Sequence, residues 1–296
     1  MKLNHTLLPM IDYHKAKRLI WDPRDIDCEQ DKRDWAAMSD REHDLILRGG
    51  SLFVAGEEAV AHDLSPLLIA IRREGGHIED EMFLTTQVFE EARHFEWFDR
   101  WLSEVPGRGV TPPDYLGANY VAIFYHDLPD ALMRLLTDTS REAQAEAATV
   151  YHIVIEGVLA ETGYYGFAKA LKSRGLLPGL LRGVELVQRD EARHIAFGIY
   201  LLQRLIAEEP ALLDAIDARM NDLLPKALDV IGEVLMPYGD DVPFGLDPTD
   251  MLTYAGDQFA RRMDAIERVT AKHQKFPDCH AEAPFCGTQV LKQPRR

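Results

Sequence analysis

The chain has 296 residues and a formal net charge of −16, with 46% of its residues hydrophobic and 28% charged. That balance supplies a sizeable apolar core and excludes a largely disordered chain, while the negative excess repels phosphate backbones, so no nucleic-acid partner is expected. No stretch of eighteen apolar residues occurs, and the three cysteines, Cys28, Cys279 and Cys286, contain no C-x-x-C pair, so the expectation is a cytoplasmic protein with no membrane span and no disulfide scaffold.

Residues 1–38 read as an extended segment packing on the body that follows. Ser39-Asp40-Arg41-Glu42 is a capping box opening a helix whose stripe, Phe53, Glu57, Val60, Leu64, Leu67 and Ile71, keeps helical spacing as far as Gly75-Gly76. A second helix from about Glu79 aligns Leu84, Val88, Glu91, Phe95, Phe98 and Leu102 and ends before Pro106-Gly107. A long connection with a short helix near 127–137 leads to Thr139-Ser140-Arg141-Glu142, read as another capping box, and to a third helix ending at Gly175. The fourth begins at Pro178 and aligns Leu180, Val184, Val187, Glu191, Ile195 and Leu202. Helices over about 210–237 and 248–269 complete the body, and 270–296 reads as a tail. The predicted fold is all-α: a four-helix core with peripheral helices, in one domain over 39–269.

Each of the four core helices carries a glutamate where its stripe should be apolar: Glu57, Glu91, Glu191 and, in HIVIEGVLA, Glu156, with Glu161 as a rival on pattern alone. A buried ionised carboxylate costs several kcal/mol unless something positive meets it, so the four require a common cause. Thirty-four residues separate Glu57 from Glu91 and 35 separate Glu156 from Glu191, with a turn midway in each hairpin, so all four side chains return to one level. EEARH at 90–94 and DEARH at 190–194 add His94 and His194 one turn from a glutamate. Two Glu-x-x-His turns plus two lone glutamates form the dinuclear metal cage of ferritin-like carboxylate bundles. Four carboxylates then balance two divalent ions, and neutral imidazoles complete the shell. A third Glu-x-x-His, Glu74 to His77, contains two glycines and reads as a turn, and His62, His126 and His152 read as surface or core residues. Asp190 is placed to hold a metal-bound histidine through its second ring nitrogen.

IWDPRDIDCEQDKRDWAAMSDREHDLI at 20–46 resembles the opening segment of ribonucleotide reductase small subunits, and Glu57, Glu91, His94, Glu156, Glu191 and His194 match that superfamily in order and spacing. AGEEAV at 55–60, FEEARH at 89–94, YHIVIEG at 151–157 and DEARHIAFG at 190–198 look most like the ligand-binding oxidases related to that subunit. Radical-storing subunits carry a tyrosine four residues after the first motif histidine; here that position is Phe98, and the last tyrosine is Tyr254, so radical storage of that type is not expected.

The oxidase resemblance implies dioxygen activation by manganese in the first site and iron in the second, in a homodimer. It further implies an ether cross-link between Val60 and Tyr151, and a long-chain fatty acid in an apolar tunnel with its carboxylate bridging the metals. Gly157, Ala160 and Gly163 are candidates for giving that tunnel room. Helical spacing alone offers no reason for Tyr151, which stands well round an α-helix from Glu156. Alternatives are a reductase small subunit storing its oxidant in the metals, a diiron fatty-acyl desaturase or hydroxylase, an iron-storage protein and a metal-free structural bundle.

Overall fold

The computed structural model describes residues 2–107 and 114–268, and among them it is all helix and loop, with no strand. The predicted tail at 270–296, with Cys279 and Cys286, lies outside the described residues. The N-terminal segment is largely helical where an extended path was expected: α1 (Leu8–Arg18) and α2 (Glu29–Ala37) flank a short turn of 3-10 helix. α1 packs on the second and fourth core helices.

The first core helix is α3 (Asp40–Asp63), opened by the Ser39/Glu42 capping box with both reciprocal hydrogen bonds made. It was expected to run unbroken to Gly75, but Pro66 has no N–H to give the preceding turn, so a new helix, α4 (Ser65–Glu74), starts there. Leu64, Leu67 and Ile71 stay buried across the break, so the apolar stripe survives it. Gly75 and Gly76, at φ 81° and 84°, then turn the chain into α5 (Ile78–Glu104). Arg204 clamps this turn by donating to both Glu74 carboxylate oxygens at 3.0 and 3.1 Å, and its Nη1 lies 3.1 Å from His77 Nε2, so the third Glu-x-x-His is a structural latch.

The connection contains α6 (Ala118–Ala122), a π-helical turn at Ile123–Asp127 and α7 (Leu128–Arg134). The third core rod is α8 (Arg141–Ala148), a π-helix over Thr149–Ala160, and α9 (Glu161–Leu171). Ser140, one residue later than expected, caps it by accepting from the Ala143 N–H, so Glu142 is not the closing residue of a box. The fourth core helix is α10 (Pro178–Glu208), and α11 (Leu212–Leu235) and α12 (Pro248–Glu267) cover the π-helix from outside.

Two glycines let α10 approach its neighbours. A β-carbon at Gly183 would sit 1.9 Å from Trp97 Cε2, and one at Gly198 would sit 2.2 Å from His152 Cβ. The N-terminus of α10 is held by α2: Asp31 accepts from the Gly179 and Leu180 N–H groups at 2.8 and 2.7 Å and from Trp101 Nε1 at 2.7 Å. Asp31→Ala would orphan all three buried donors, and is expected to lower unfolding free energy by about 2–4 kcal/mol. Chemical denaturation checks this, and a loss below about 0.5 kcal/mol, the scale of an ordinary surface substitution, would contradict it.

Candidate metal centre

Counted from their helices, Glu57 is supplied by α3, Glu91 and His94 by α5, Glu156 by the π-helix, and Glu191 and His194 by α10. All six are buried, His94 and His194 completely. They fall into two groups whose potential ligand atoms lie within 4.8 Å of one another: Glu57, Glu91, His94 and Glu191, and Glu91, Glu156, Glu191 and His194. Glu91 and Glu191 therefore stand between two adjacent positions, each with one further glutamate and one histidine. Glu161, the rival to Glu156, belongs to neither group and accepts from Gln188 at 3.2 Å. His62 and His126 are exposed.

Both histidines turn Nδ1 inward. His94 Nδ1 is 3.7 Å from Glu57, 3.6 Å from Glu91 and 3.2 Å from Glu191; His194 Nδ1 is 2.9 Å from Glu91, 3.4 Å from Glu156 and 3.2 Å from Glu191. Burial, the largest influence on Glu57, pushes its carboxyl up to about 8. Burial, followed by the charge of Glu191, drives Glu156 well above the usual range. Burial acts the same way on Glu91, but the charges and hydrogen bonds of His194 and His94 outweigh it and hold its carboxyl well below that range. For His94 and His194 burial disfavours the charged ring, yet the surrounding carboxylates hold both well above an ordinary imidazole. The pocket thus demands positive charge at its centre. His94 Nδ1 and Glu156 Oε2 are buried with no hydrogen-bond partner, as metal-ligating atoms would be without their ion, so the residues present fit a pair of cations.

The outer ring nitrogens show a crossed arrangement. His194 Nε2 lies 2.9 Å from Glu90, and His94 Nε2 lies 3.5 Å from Asp190. The acid opening each motif therefore faces the histidine of the other. The arginines cross as well, Arg93 donating to Asp190 at 2.6 Å and Arg193 Nη2 to Glu90 at 2.5 Å, while Arg193 also reaches Asp190 of its own motif at 2.7 Å. Trp21 donates to Asp190 at 2.7 Å, fastening the N-terminal segment to the centre. Sequence reasoning found Asp190 but not Glu90, although the near-identity of EEARH and DEARH gives the two acids the same place in the repeat.

Tyr151 is brought in by the π-helix. In that geometry the backbone bonds run to the residue five positions away, so Tyr151 and Glu156 share a face. Its hydroxyl donates to Glu91 Oε1 at 2.6 Å. Val60 and Tyr151 both line a cavity of about 160 Å³ that also touches Glu57, Glu91, Glu156 and Glu191. Those glutamates are the only charged groups among its described lining residues; beyond them the wall is mostly apolar, with the Tyr120 and Thr162 hydroxyls bonded to the Leu52 and Val158 carbonyls, and it runs along α3 back to Leu45 and along α9 to Ala170. From Glu57 to Leu45 this spans about 18 Å at the rise of an α-helix. Ala160 and Gly163 line the cavity as expected, joined by Gly166, whereas Gly157 does not: its carbonyl accepts from Arg262 Nε at 3.3 Å. Phe98 is fully buried and stacks on Phe53 with ring centroids 4.9 Å apart.

A helical bundle presenting two Glu-x-x-His turns and two further glutamates to one buried point has the architecture of a dinuclear carboxylate protein. The chain belongs to the ribonucleotide reductase small chain family, whose model matches residues 10–256. Among solved structures, it is 36% identical to a glycine-to-phenylalanine variant of an R2-like ligand-binding oxidase with aerobically reconstituted Mn/Fe cofactor, with TM-score 0.86, covering 90% of this chain and 100% of that one. A tyrosine-to-phenylalanine variant of an R2-like ligand-binding oxidase, also with aerobically reconstituted Mn/Fe cofactor, is 37% identical with TM-score 0.84, over 90% of this chain and 96% of that one.

Proposed function

We propose that the protein is a dioxygen-activating oxidase with manganese in the Glu57/His94 group and iron in the Glu156/His194 group. It binds a long-chain fatty acid and carries out two-electron oxidations, including formation of an ether bond between Val60 and Tyr151. It works as a cytoplasmic homodimer. The observation that carries this reading is the cavity, which joins Val60, Tyr151 and the clustered glutamates in one space walled mostly by apolar side chains. The solved structures with Mn/Fe cofactors support the choice of metals.

The ions supply electrons to dioxygen and the oxidising power to attack an unactivated C–H bond. Forming the ether breaks the Val60 Cβ–H and Tyr151 O–H bonds and releases two electrons and two protons. Two metal ions held by these residues would each supply one further electron, and with two more protons taken from solvent one dioxygen would be reduced to two waters. Tyr151 is already directed at Glu91, which lies along the route by which the phenol proton leaves. Two trivalent ions would carry two positive charges beyond the four glutamates, which favours an anionic head on the ligand, and the mostly apolar wall favours a long chain behind it.

Intact-mass measurement tests this reading. Protein loaded with both metals and exposed to air should weigh two hydrogens less than its sequence, Tyr151→Phe should keep the full mass, and organic extraction should release a fatty acid. Full unmodified mass in the loaded, aerated protein would contradict the cross-link.

A further inference from the structure

Gln87 is a completely buried amide on α5, one turn before Glu91. Its nitrogen lies 3.0 Å from the Tyr151 hydroxyl oxygen, 3.3 Å from Glu156 Oε1 and 3.2 Å from His152 Nε2, and its oxygen lies 3.4 Å from that same ring nitrogen. A buried amide costs free energy unless it is hydrogen-bonded, so plain packing at this position is better served by leucine or methionine. Instead, one side chain ties α5 to three residues of the π-helix, Tyr151, His152 and Glu156.

We propose that Gln87 is a positioning residue for the Tyr151 phenol. A phenol has one hydrogen and can accept as well as donate. With the Gln87 N–H bonded to the Tyr151 oxygen, the phenol hydrogen is left to point at Glu91, whose Oε1 lies 2.6 Å from that oxygen. Gln87 therefore chooses between two orientations of that hydroxyl: one amide hydrogen serves the Tyr151 oxygen and the other Glu156 Oε1, while the amide oxygen accepts from His152 Nε2, and these contacts hold the amide in that orientation. His152 is completely buried against α10, where only a glycine at 198 leaves it space, and burial pushes its ring down to about 3, so it stays neutral. This assignment rests on the reading of Tyr151 as the cross-linking residue. Gln87 changes neither the bonds broken nor the electron count, with dioxygen as the oxidant; it sets the direction in which the phenol proton leaves.

Gln87→Met, close in length and apolar, tests the proposal in the full chain reconstituted with manganese and iron. Metal content should stay at the wild-type level, while the mass loss on aeration slows by about tenfold or more, as expected when a reacting group loses its orientation. Gln87→Asn, which keeps the amide, should recover part of the rate, and serves the same readouts if the methionine variant does not fold. Cross-linking at the wild-type rate in Gln87→Met overturns the proposal. A second readout needs no metal: the Cζ carbon resonance of Tyr151, assigned by its disappearance in Tyr151→Phe, should move in Gln87→Met, and an unmoved resonance also overturns the proposal. Failure of the wild type itself to lose mass would instead remove the cross-linking reading, leaving the carbon resonance to decide whether Gln87 orients the phenol.

Discussion

Glu191→Ala is expected to remove both metal ions, whereas Glu57→Ala removes one. The difference follows from geometry: Glu191 belongs to both groups of converging ligands and Glu57 to a single group. After reconstitution with manganese and iron and removal of excess metal, elemental analysis should give about two ions per wild-type chain, about one for Glu57→Ala and nearly none for Glu191→Ala. Stability should follow occupancy, because an ion that binds only the folded state contributes about 2.7 kcal/mol at a hundredfold excess over its dissociation constant. Because Glu191→Ala has no ion to lose, the gap between its loaded and metal-free melting should narrow. Two retained ions in that variant would contradict the shared role.

Glu90→Ala should weaken the ion farther along the chain, not the one beside its own motif. Glu90 holds His194, and Asp190 faces His94, so each support acts across the bundle. Removing a group that orients a ligating histidine costs about 10–100-fold in metal affinity. The assignment is clearest in a Glu57→Ala background, where the remaining ion sits with Glu156 and His194. There, competition with a chelator should show the loss for Glu90→Ala and a much smaller one for Asp190→Ala. The opposite ranking would mean that the supports act within each motif.

The main features of the centre were legible because burial makes a glutamate conspicuous. Glu57, Glu91 and Glu191 interrupt stripes of otherwise regular apolar spacing, and the two hairpin separations bring them to one level. The π-helix was not legible. TVYHIVIEGVLA is apolar on nearly every side, so there is no polar face whose phase reveals a changed number of residues per turn. For the same reason Tyr151 looked misdirected and Glu161 remained a rival. The break before Ser65-Pro66 was hidden because the apolar stripe continues through it. Glu90 and Gln87 were missed for another reason: their partners lie on other helices, and helical spacing reports which face a residue occupies but not what stands opposite. Gln87 did carry a signal, being polar one turn from Glu91 on the inward face. Asp31 joins α2 to α10 over 148 residues of sequence, a contact no local pattern can announce.

The most direct test is diffraction from crystals of the aerated, manganese- and iron-loaded protein, recorded on either side of each metal's absorption edge. Two ions should appear between the core helices, manganese held by Glu57 and His94 and iron by Glu156 and His194, with Glu91 and Glu191 reaching both. Glu57 or Glu156 turned to solvent, with no metal density between the helices, would contradict the account.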